Sequence, residues 1–380
     1  MTFNLSHALF SSYDIDQGSK LLLKAISDIC DSAEIRSILD IGCGVGVLGI
    51  AAAKACPGAS LLMRDRDALA CEFSYRNAVL NKLPAPLTER ALFIEGLEGK
   101  SFDLALCNVP AKAGPGVLDS FLRDMPRLLS DSGYGAIVLV KNIAGSARAS
   151  ILNSGAKLLK TEEGSGHSVF VFKRGVASGS GAYGDTFWAA SKRSSEECIG
   201  RAGRYNIDGY WGLSEFDSPS FDTKLLMEMA DKASSGLLLR KIAVINPGVG
   251  RFAAFLKNRE PMAAIDLAGR DFLALRASAR NLSKMPAPQE EPQLFSFSSE
   301  LPDSSYDMMA ERPDIVPLSD FAGPAWENAM RCLKLGASYM AAMPSAYMDR
   351  LMKQKPRAFI KLQEKKKKGY SCAVFRLETK

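Results

Sequence analysis

Three stretches of the sequence carry residue types suited to chemistry. The first is Asp40-Ile41-Gly42-Cys43-Gly44-Val45-Gly46, which follows the apolar pair Ile38-Leu39 and precedes the alanine-rich Ile50-Ala51-Ala52-Ala53. A strand that enters a helix through glycines leaves bare backbone N–H groups at the helix N-terminus, and glycine lets a ligand come close to them. The second is Asp65, with Arg66 beside it, after the apolar run Leu61-Leu62-Met63. A carboxylate at the end of the strand following a glycine turn can accept from both hydroxyls of a ribose. The third is Asn108-Val109-Pro110-Ala111, which closes the run Phe102–Cys107. A side-chain amide offers a carbonyl acceptor, and proline keeps its backbone C=O. Together these residues describe a nucleotide-type cofactor site with an acceptor group at a neighbouring strand end.

The glycine turn leaves two cofactors open. Gly44-Val45-Gly46-Val47-Leu48-Gly49 fits the Gly-x-Gly-x-x-Gly of a dinucleotide fold, a weak motif when it stands alone. Three features favour S-adenosylmethionine. Asp40 sits two residues before the first glycine, where a carboxylate helps hold the ammonium end of a methionine. Asp65 suits the ribose. Asn108-Val109-Pro110 ends a later strand, at the carboxyl edge where ligands of such sheets lie. Glu95 and Gly96 follow the expected third strand and are candidates, by position, for the adenine.

The elements that position these residues follow from hydrophobic spacing. Asp16-Gln17-Gly18-Ser19 reads as a turn and helix cap, after which Leu21, Leu22, Ala25, Ile26 and Ile29 repeat at helical spacing. Strands are expected at 37–41, 60–64, 91–94, 102–107, 135–140 and 167–172. Helices are expected up to about residue 56, where Pro57-Gly58 breaks the chain, from an Asp67 cap to about residue 80, and over 117–129. Strands alternating with helices predict a parallel, doubly wound α/β sheet.

The 380 residues suffice for two such domains, and the 47% hydrophobic and 24% charged content lets both build cores. The pattern in fact restarts. Lys224-Leu225-Leu226-Met227 echoes Lys20-Leu21-Leu22-Leu23, and Leu213–Asp217 echoes Phe10–Asp14. Ile245-Asn246-Pro247-Gly248-Val249-Gly250 falls on the glycine turn, Asp266 answers Asp65, Arg280-Asn281 answers Arg76-Asn77, and Gly369-Tyr370-Ser371 answers Gly166-His167-Ser168. The offset stays near 203, which predicts an internal duplication: an intact domain over 1–174, a Gly/Ser-rich basic linker over 175–204, and a second domain over 205–380. The second copy reads as degenerate, because Asp40 becomes Val244, Gly42 becomes Asn246, and Asn108-Val109-Pro110 becomes Glu311-Arg312-Pro313.

The formal charge of +6 permits an RNA partner without demanding one. Eight cysteines without a Cys-x-x-Cys pair, and only two histidines, predict no metal site and a reduced, cytoplasmic protein. The N-terminus does not have the pattern of a signal peptide, and no apolar stretch reaches the ~20 residues that span a membrane. Lys365–Lys368 reads as a charged hairpin tip, solvated by default, with phosphate contact as the alternative. Nothing in the pattern fixes an oligomeric state, and a monomer is the slightly favoured expectation.

The run Phe10-Ser11…Asp16-Gln17-Gly18-Ser19-Lys20-Leu21-Leu22-Leu23, then Leu39–Gly46, then Phe102-Asp103…Asn108-Val109-Pro110, resembles the small-domain class I methyltransferases. Among these it is most similar to the bacterial ribosomal RNA guanine-N2 methyltransferases of the RsmC and RlmG type, which carry two tandem methyltransferase-like halves, one degenerate. The resemblance implies two tandem Rossmann-like domains, S-adenosylmethionine held by Asp40, Gly42, Cys43, Gly44, Gly46, Asp65, Arg66, Glu95, Gly96 and Asn108, and ribosomal RNA as partner. It also implies that the Asn108 carbonyl and a backbone carbonyl near Pro110 accept the hydrogens of the acceptor amine, with Phe10, Ser11, Val109 and Ala111 around the substrate. The chain departs from that family twice. The intact glycine turn is in the first half rather than the second, and the acceptor motif ends in Ala111 where the family has Phe or Tyr. Related Asn-x-Pro motifs also serve adenine N6 and protein glutamine, and the loss of the aromatic leaves open an inactive RNA-binding or assembly protein.

Overall fold

The computed structural model describes residues 1–9, 15–175, 188–189, 192–198, 203–233, 239–285 and 291–379, and the chain divides into two compact units, Met1–Ser191 and Lys192–Lys380. The first unit runs α1 (Gln17–Ser32), β1 (Ser37–Ile41), α2 (Val47–Ala55), β2 (Ser60–Asp65), α3 (Ala68–Leu80), β3 (Leu87–Arg90) and β4 (Phe102–Asn108). It continues through α4 (Pro115–Asp124), β5 (Leu129–Val140), α5 (Ala144–Asn153), β6 (Lys157–Glu163) and β7 (His167–Lys173). The strands form one sheet in the order β3-β2-β1-β4-β5-β7-β6.

Side-chain alternation along the central strand explains the three layers. Ile38 packs with Leu22, Ile26, Leu48 and Ala52 of α1 and α2 on one face, while Leu39 and Ile41 pack with Phe121, Leu122 and Ile151 of α4 and α5 on the other. Asp67 caps α3 by accepting from Leu69 N–H at 2.9 Å, as its position predicts. The strand expected at 91–94 lies instead at Leu87–Arg90, parallel to β2. Residues 91–94 form a loop whose Ala91, Leu92 and Ile94 are buried, so an apolar run there imitates a strand. The sheet is mixed rather than all parallel, because β7 is antiparallel to both β5 and β6.

The second unit starts with a hairpin, β8 (Lys192–Cys198) and β9 (Arg204–Tyr210), so part of the expected linker is a paired strand. It continues through α6 (Phe221–Ala233), β10 (Lys241–Ile245), α7 (Arg251–Arg259), β11 (Ala264–Ala268), α8 (Phe272–Leu282), β12 (Leu294–Phe295) and β13 (Tyr306–Glu311). The last elements are α9 (Ala322–Cys332), β14 (Leu333–Pro344), α10 (Ser345–Lys353), β15 (Phe359–Lys367) and β16 (Tyr370–Leu377). Its sheet order, β12-β11-β10-β13-β14-β16-β15, repeats that of the first unit strand for strand. Lys365–Lys367 lie in β15, with Lys365 and Lys367 paired to Glu228 and Lys366 to Glu364 and Asp349.

Register corrects two of the sequence correspondences. Ile41 pairs with Cys107 and Ile245 with Glu311, so Cys107 matches Glu311 and Asn108 matches Arg312. Ile41 also pairs with Arg64 and Ile245 with Ala268, so the partner of Asp65 is Gly269. Asp266 lies earlier in β11, buried, accepting from the Tyr306 hydroxyl at 2.8 Å. The offset is 204 through these strands and drops to 203 only in the final hairpin, where His167 and Tyr370 hold matching places.

Candidate active site

In the first unit the strand order reverses between β1 and β4, and the crevice outside their carboxyl ends is where such sheets bind ligands. The glycine turn, Asp65 and Asn108 all come from strand ends at that edge. Gly42, Gly44 and Gly46 have φ of 71°, 54° and 90°, a region closed to most side chains. Gly42 and Cys43 N–H donate to the Arg64 carbonyl at 2.8 and 2.9 Å, which fastens the turn to β2. Asp65 reaches across it: one carboxylate oxygen accepts from Gly44 N–H and the other from Asp67 N–H, each at 2.9 Å. Burial raises the Asp65 carboxyl, and these N–H groups oppose the rise.

Asp40 is fully buried. One oxygen accepts from Gly49 N–H at 2.8 Å, inside the first turn of α2, and the other has no hydrogen-bond partner. Burial pushes its carboxyl up to about 7, against the Gly49 bond. Cys43 is buried, and burial lifts its thiol well above the ordinary range. Arg66 is half-buried. Glu95 and Gly96 lie in the loop after β3, and Gly96 is exposed with φ of 78°. That loop is held by a residue that no local sequence motif marks. Buried Arg64 donates to the Phe93 and Glu95 carbonyls at 3.0 and 2.7 Å and pairs with Glu89 at 3.0 Å.

Asn108, the last residue of β4, is half-buried. Its amide nitrogen donates to both Asp16 oxygens at 3.3 and 3.2 Å and to Ser19 Oγ at 3.2 Å. By sequence, Asp16 and Ser19 predict only a helix cap. They do cap α1, with Ser19 N–H donating to Asp16 at 3.0 Å, but they also touch the amide. Val109 is buried and its N–H bonds the Val138 carbonyl at 2.8 Å. Pro110 and Ala111 are exposed, and the Pro110 carbonyl accepts from Ala113 N–H at 3.1 Å. Phe10 and Ser11 lie outside the described residues.

The matching crevice of the second unit is filled by its own chain. Arg312 donates to the Asn246 carbonyl through Nε and Nη2 at 3.2 and 2.9 Å, and through Nη1 to Thr223 Oγ1 at 3.0 Å. Its guanidinium also pairs with buried Glu215 at 3.1 Å, and Asn246 returns a 2.9 Å bond to the Arg312 carbonyl. Burial pushes the Glu215 carboxyl up, but Arg312 and the Ser220 bonds outweigh it and hold it below the ordinary range. A Cβ on Gly248 would collide with Arg312, whereas one on Gly42 or Gly44 would meet nothing within 4 Å. Among the described residues no cluster of His, Cys, Asp or Glu could hold a metal ion.

The open turn, the carboxylate that ends β2 and the 3-2-1-4-5-7-6 sheet together define the class I methyltransferase fold. Residues 1–163, within the first unit, match the family model described as "Methyltransferase small domain". The chain is 32% identical over 139 residues to ribosomal RNA small subunit methyltransferase C of Haemophilus influenzae, covering 35% of this chain and 39% of the relative. It is 34% identical over 153 residues to ribosomal RNA large subunit methyltransferase G of Shewanella pealeana, covering 37% of this chain and 36% of that protein. The chain thus aligns with less than two fifths of these relatives' length. Over the whole chain, the fold is that of a T. thermophilus 16S rRNA N2 methyltransferase (RsmC) solved with AdoMet and guanosine: TM-score 0.70, 15% identity, 99% of this chain and 95% of that one. The two tandem methyltransferase-like units expected from the duplication are therefore the architecture of the molecule.

Proposed function

We propose that the first unit transfers a methyl group from S-adenosylmethionine to the N2 amine of a guanine in ribosomal RNA, in the cytoplasm, and that the second unit binds no cofactor. The contrast between the two crevices carries this reading. One presents bare glycines flanked by Asp65 and Asn108, and the other is occupied by Arg312. The relatives' names supply the acceptor class, ribosomal RNA.

The donor set of the first unit fits S-adenosylmethionine. Asp65 suits the ribose hydroxyls, the Gly42–Gly46 turn admits the amino-acid end, Asp40 stands behind it with a buried unpartnered oxygen, and the loop at Glu95-Gly96 is in reach of the base by position. Cys43 and Arg66 flank that set. The cofactor supplies an electrophilic methyl on a positively charged sulfur. The chain's part is alignment. The Asn108 carbonyl accepts one hydrogen of the amine, and a backbone carbonyl of Val109-Pro110 accepts the other. The nitrogen lone pair, otherwise delocalised into the ring, is thereby turned toward the methyl. Exposed Ala111 offers no ring to stack on the base, so base binding draws on other groups; stacking is worth roughly 1–3 kcal/mol.

The test is transfer of radiolabel from S-adenosylmethionine to ribosomal RNA, naked and in subunits, taken from cells lacking the gene. The RNA is then digested to nucleosides. Label in N2-methylguanosine that vanishes with Asn108→Ala, while cofactor binding by calorimetry persists, is the expected result. Label in N6-methyladenosine or in protein would overturn the acceptor. Cofactor binding without label in any fraction would leave an inactive RNA-binding or assembly protein as the better account of Ala111.

A further inference from the structure

We propose that Asp16 and Ser19 form a shelf of hydrogen-bond acceptors that fixes which end of the Asn108 amide faces the substrate, and so are positioning residues for the transfer. This rests on the functional reading above, because only an amide presenting its carbonyl can accept a hydrogen from an amine.

Donors and acceptors around Asn108 decide its orientation. A side-chain amide has two ends of similar size and opposite hydrogen-bonding character. What faces it decides its orientation. Asp16, as a carboxylate, only accepts. Ser19 has one hydroxyl proton, and that proton is given to Asp16 Oδ2 at 2.6 Å. Every group the shelf presents to Asn108 is therefore an acceptor, and only the NH2 end can lie against it. A rotated amide would set its oxygen against three lone-pair-bearing atoms. With the NH2 end held, Oδ1 is turned away from the shelf. Donation to a carboxylate also strengthens the amide as an acceptor at its far end.

Two further observations support the assignment. A Cβ on Gly18 would stand 2.9 Å from Asp16 Oδ1, so the glycine leaves room for the carboxylate where it lies. The second unit builds an acceptor shelf from partly different residues, with Ser220 standing at the place of Asp16. Arg312, at the place of Asn108, donates to Thr223 at the place of Ser19 and pairs with Glu215, whose other oxygen takes the Ser220 hydroxyl at 2.6 Å. The shelf selects a donor in both units. An amide that satisfies it has a carbonyl to spare, and a guanidinium has none.

The test is Asp16→Ser in the full chain. Serine also caps helices well, and Ser220 precedes α6 at the matching place, so the variant removes the carboxylate and retains the cap. We expect kcat for labelled methyl transfer to ribosomal RNA to fall roughly 10- to 100-fold, with KM for S-adenosylmethionine and the thermal midpoint unchanged. In a protein labelled with 15N at asparagine, the Asn108 amide protons, assigned by their loss in Asn108→Asp, should move upfield in Asp16→Ser. Wild-type kcat in that variant, or an unmoved Asn108 resonance, would overturn the shelf. A wild-type chain that methylates nothing, while the Asn108 resonance still responds to Asp16→Ser, would overturn the activity and uphold the shelf.

Discussion

Gly49 sits within α2, where alanine is the better helix former, yet there is no room for a methyl group. A Cβ there would lie 2.9 Å from Asp40 Oδ2 and 3.0 Å from Leu61 Cδ1. Gly49→Ala should therefore destabilise the first unit by about 1–3 kcal/mol, read from urea denaturation, as overpacking and a displaced carboxylate outweigh the gain in propensity. Asp65→Ala removes the acceptor that holds Gly44 and Asp67 and should weaken S-adenosylmethionine binding roughly 10- to 100-fold by calorimetry, the loss of one or two charge-assisted bonds. Both residues were legible in the sequence, because a glycine turn and the acid ending the next strand are separated by fixed element lengths. Asp16 was legible only as a cap. Its contact with Asn108 spans 92 residues, and no local pattern encodes a meeting that the sheet order alone creates. Arg64 escaped notice for a related reason: an arginine next to an acid at a strand end looks solvated until its backbone partners in the β3–β4 loop are known.

At the scale of elements, each unit is braced by one buried asparagine on its third helix. Asn77 on α3 exchanges hydrogen bonds with both backbone groups of Asn4, at 2.7 and 3.0 Å, and donates to the Val45 carbonyl at 2.9 Å. Asn281 on α8 does the same for Asp208, at 2.9 and 2.8 Å, and for Val249 at 2.7 Å. Leucine at Asn77 would leave those backbone groups unpartnered, and a loss of about 1–3 kcal/mol is expected, with faster hydrogen exchange at the Asn4 N–H. The repeat of Arg-Asn at one offset was a sequence sign of this brace, though not of what it ties. Other elements gave weaker signs. β6 reads Lys-Leu-Leu-Lys-Thr-Glu-Glu because it is an edge strand, where charge guards against further pairing and obscures alternation. α5 buries only Ala147, Ser150 and Ile151, too few to show helical spacing against its polar residues.

At the scale of the whole molecule, Asp40 in the first unit and Glu311 in the second are both buried carboxylates near their unit's crevice. Burial lifts Glu311 from 4.5 to about 7, against the bond from the Tyr339 hydroxyl at 2.8 Å. The folded second unit thus holds a proton that the unfolded chain releases near 4.5. Its contribution is complete below about 4.5 and is lost as pH rises through about 7. Stability of the second unit should decline over that window, and Glu311→Gln should flatten the decline, measured by urea midpoints at a series of pH values. The duplication itself was readable from motif order, and so was Asn246 standing where the first turn has Gly42. Which residue replaced Asn108 was not, because an offset one residue short placed Glu311 there, and only strand pairing puts Arg312 in its stead.

The occupied crevice of the second unit has a consequence for ligand linkage. A site that binds a ligand only when folded gains stability as ligand is added, by about 2.7 kcal/mol at a hundredfold excess over the dissociation constant. Arg312, bonded through the chain to Asn246, Thr223 and Glu215, travels with the polypeptide and has no concentration to vary. S-adenosylmethionine should therefore raise the melting of the first unit in proportion to the logarithm of its concentration and leave the second where it was. One half of the molecule would report the metabolic supply of methyl donor, and the other would be indifferent to it.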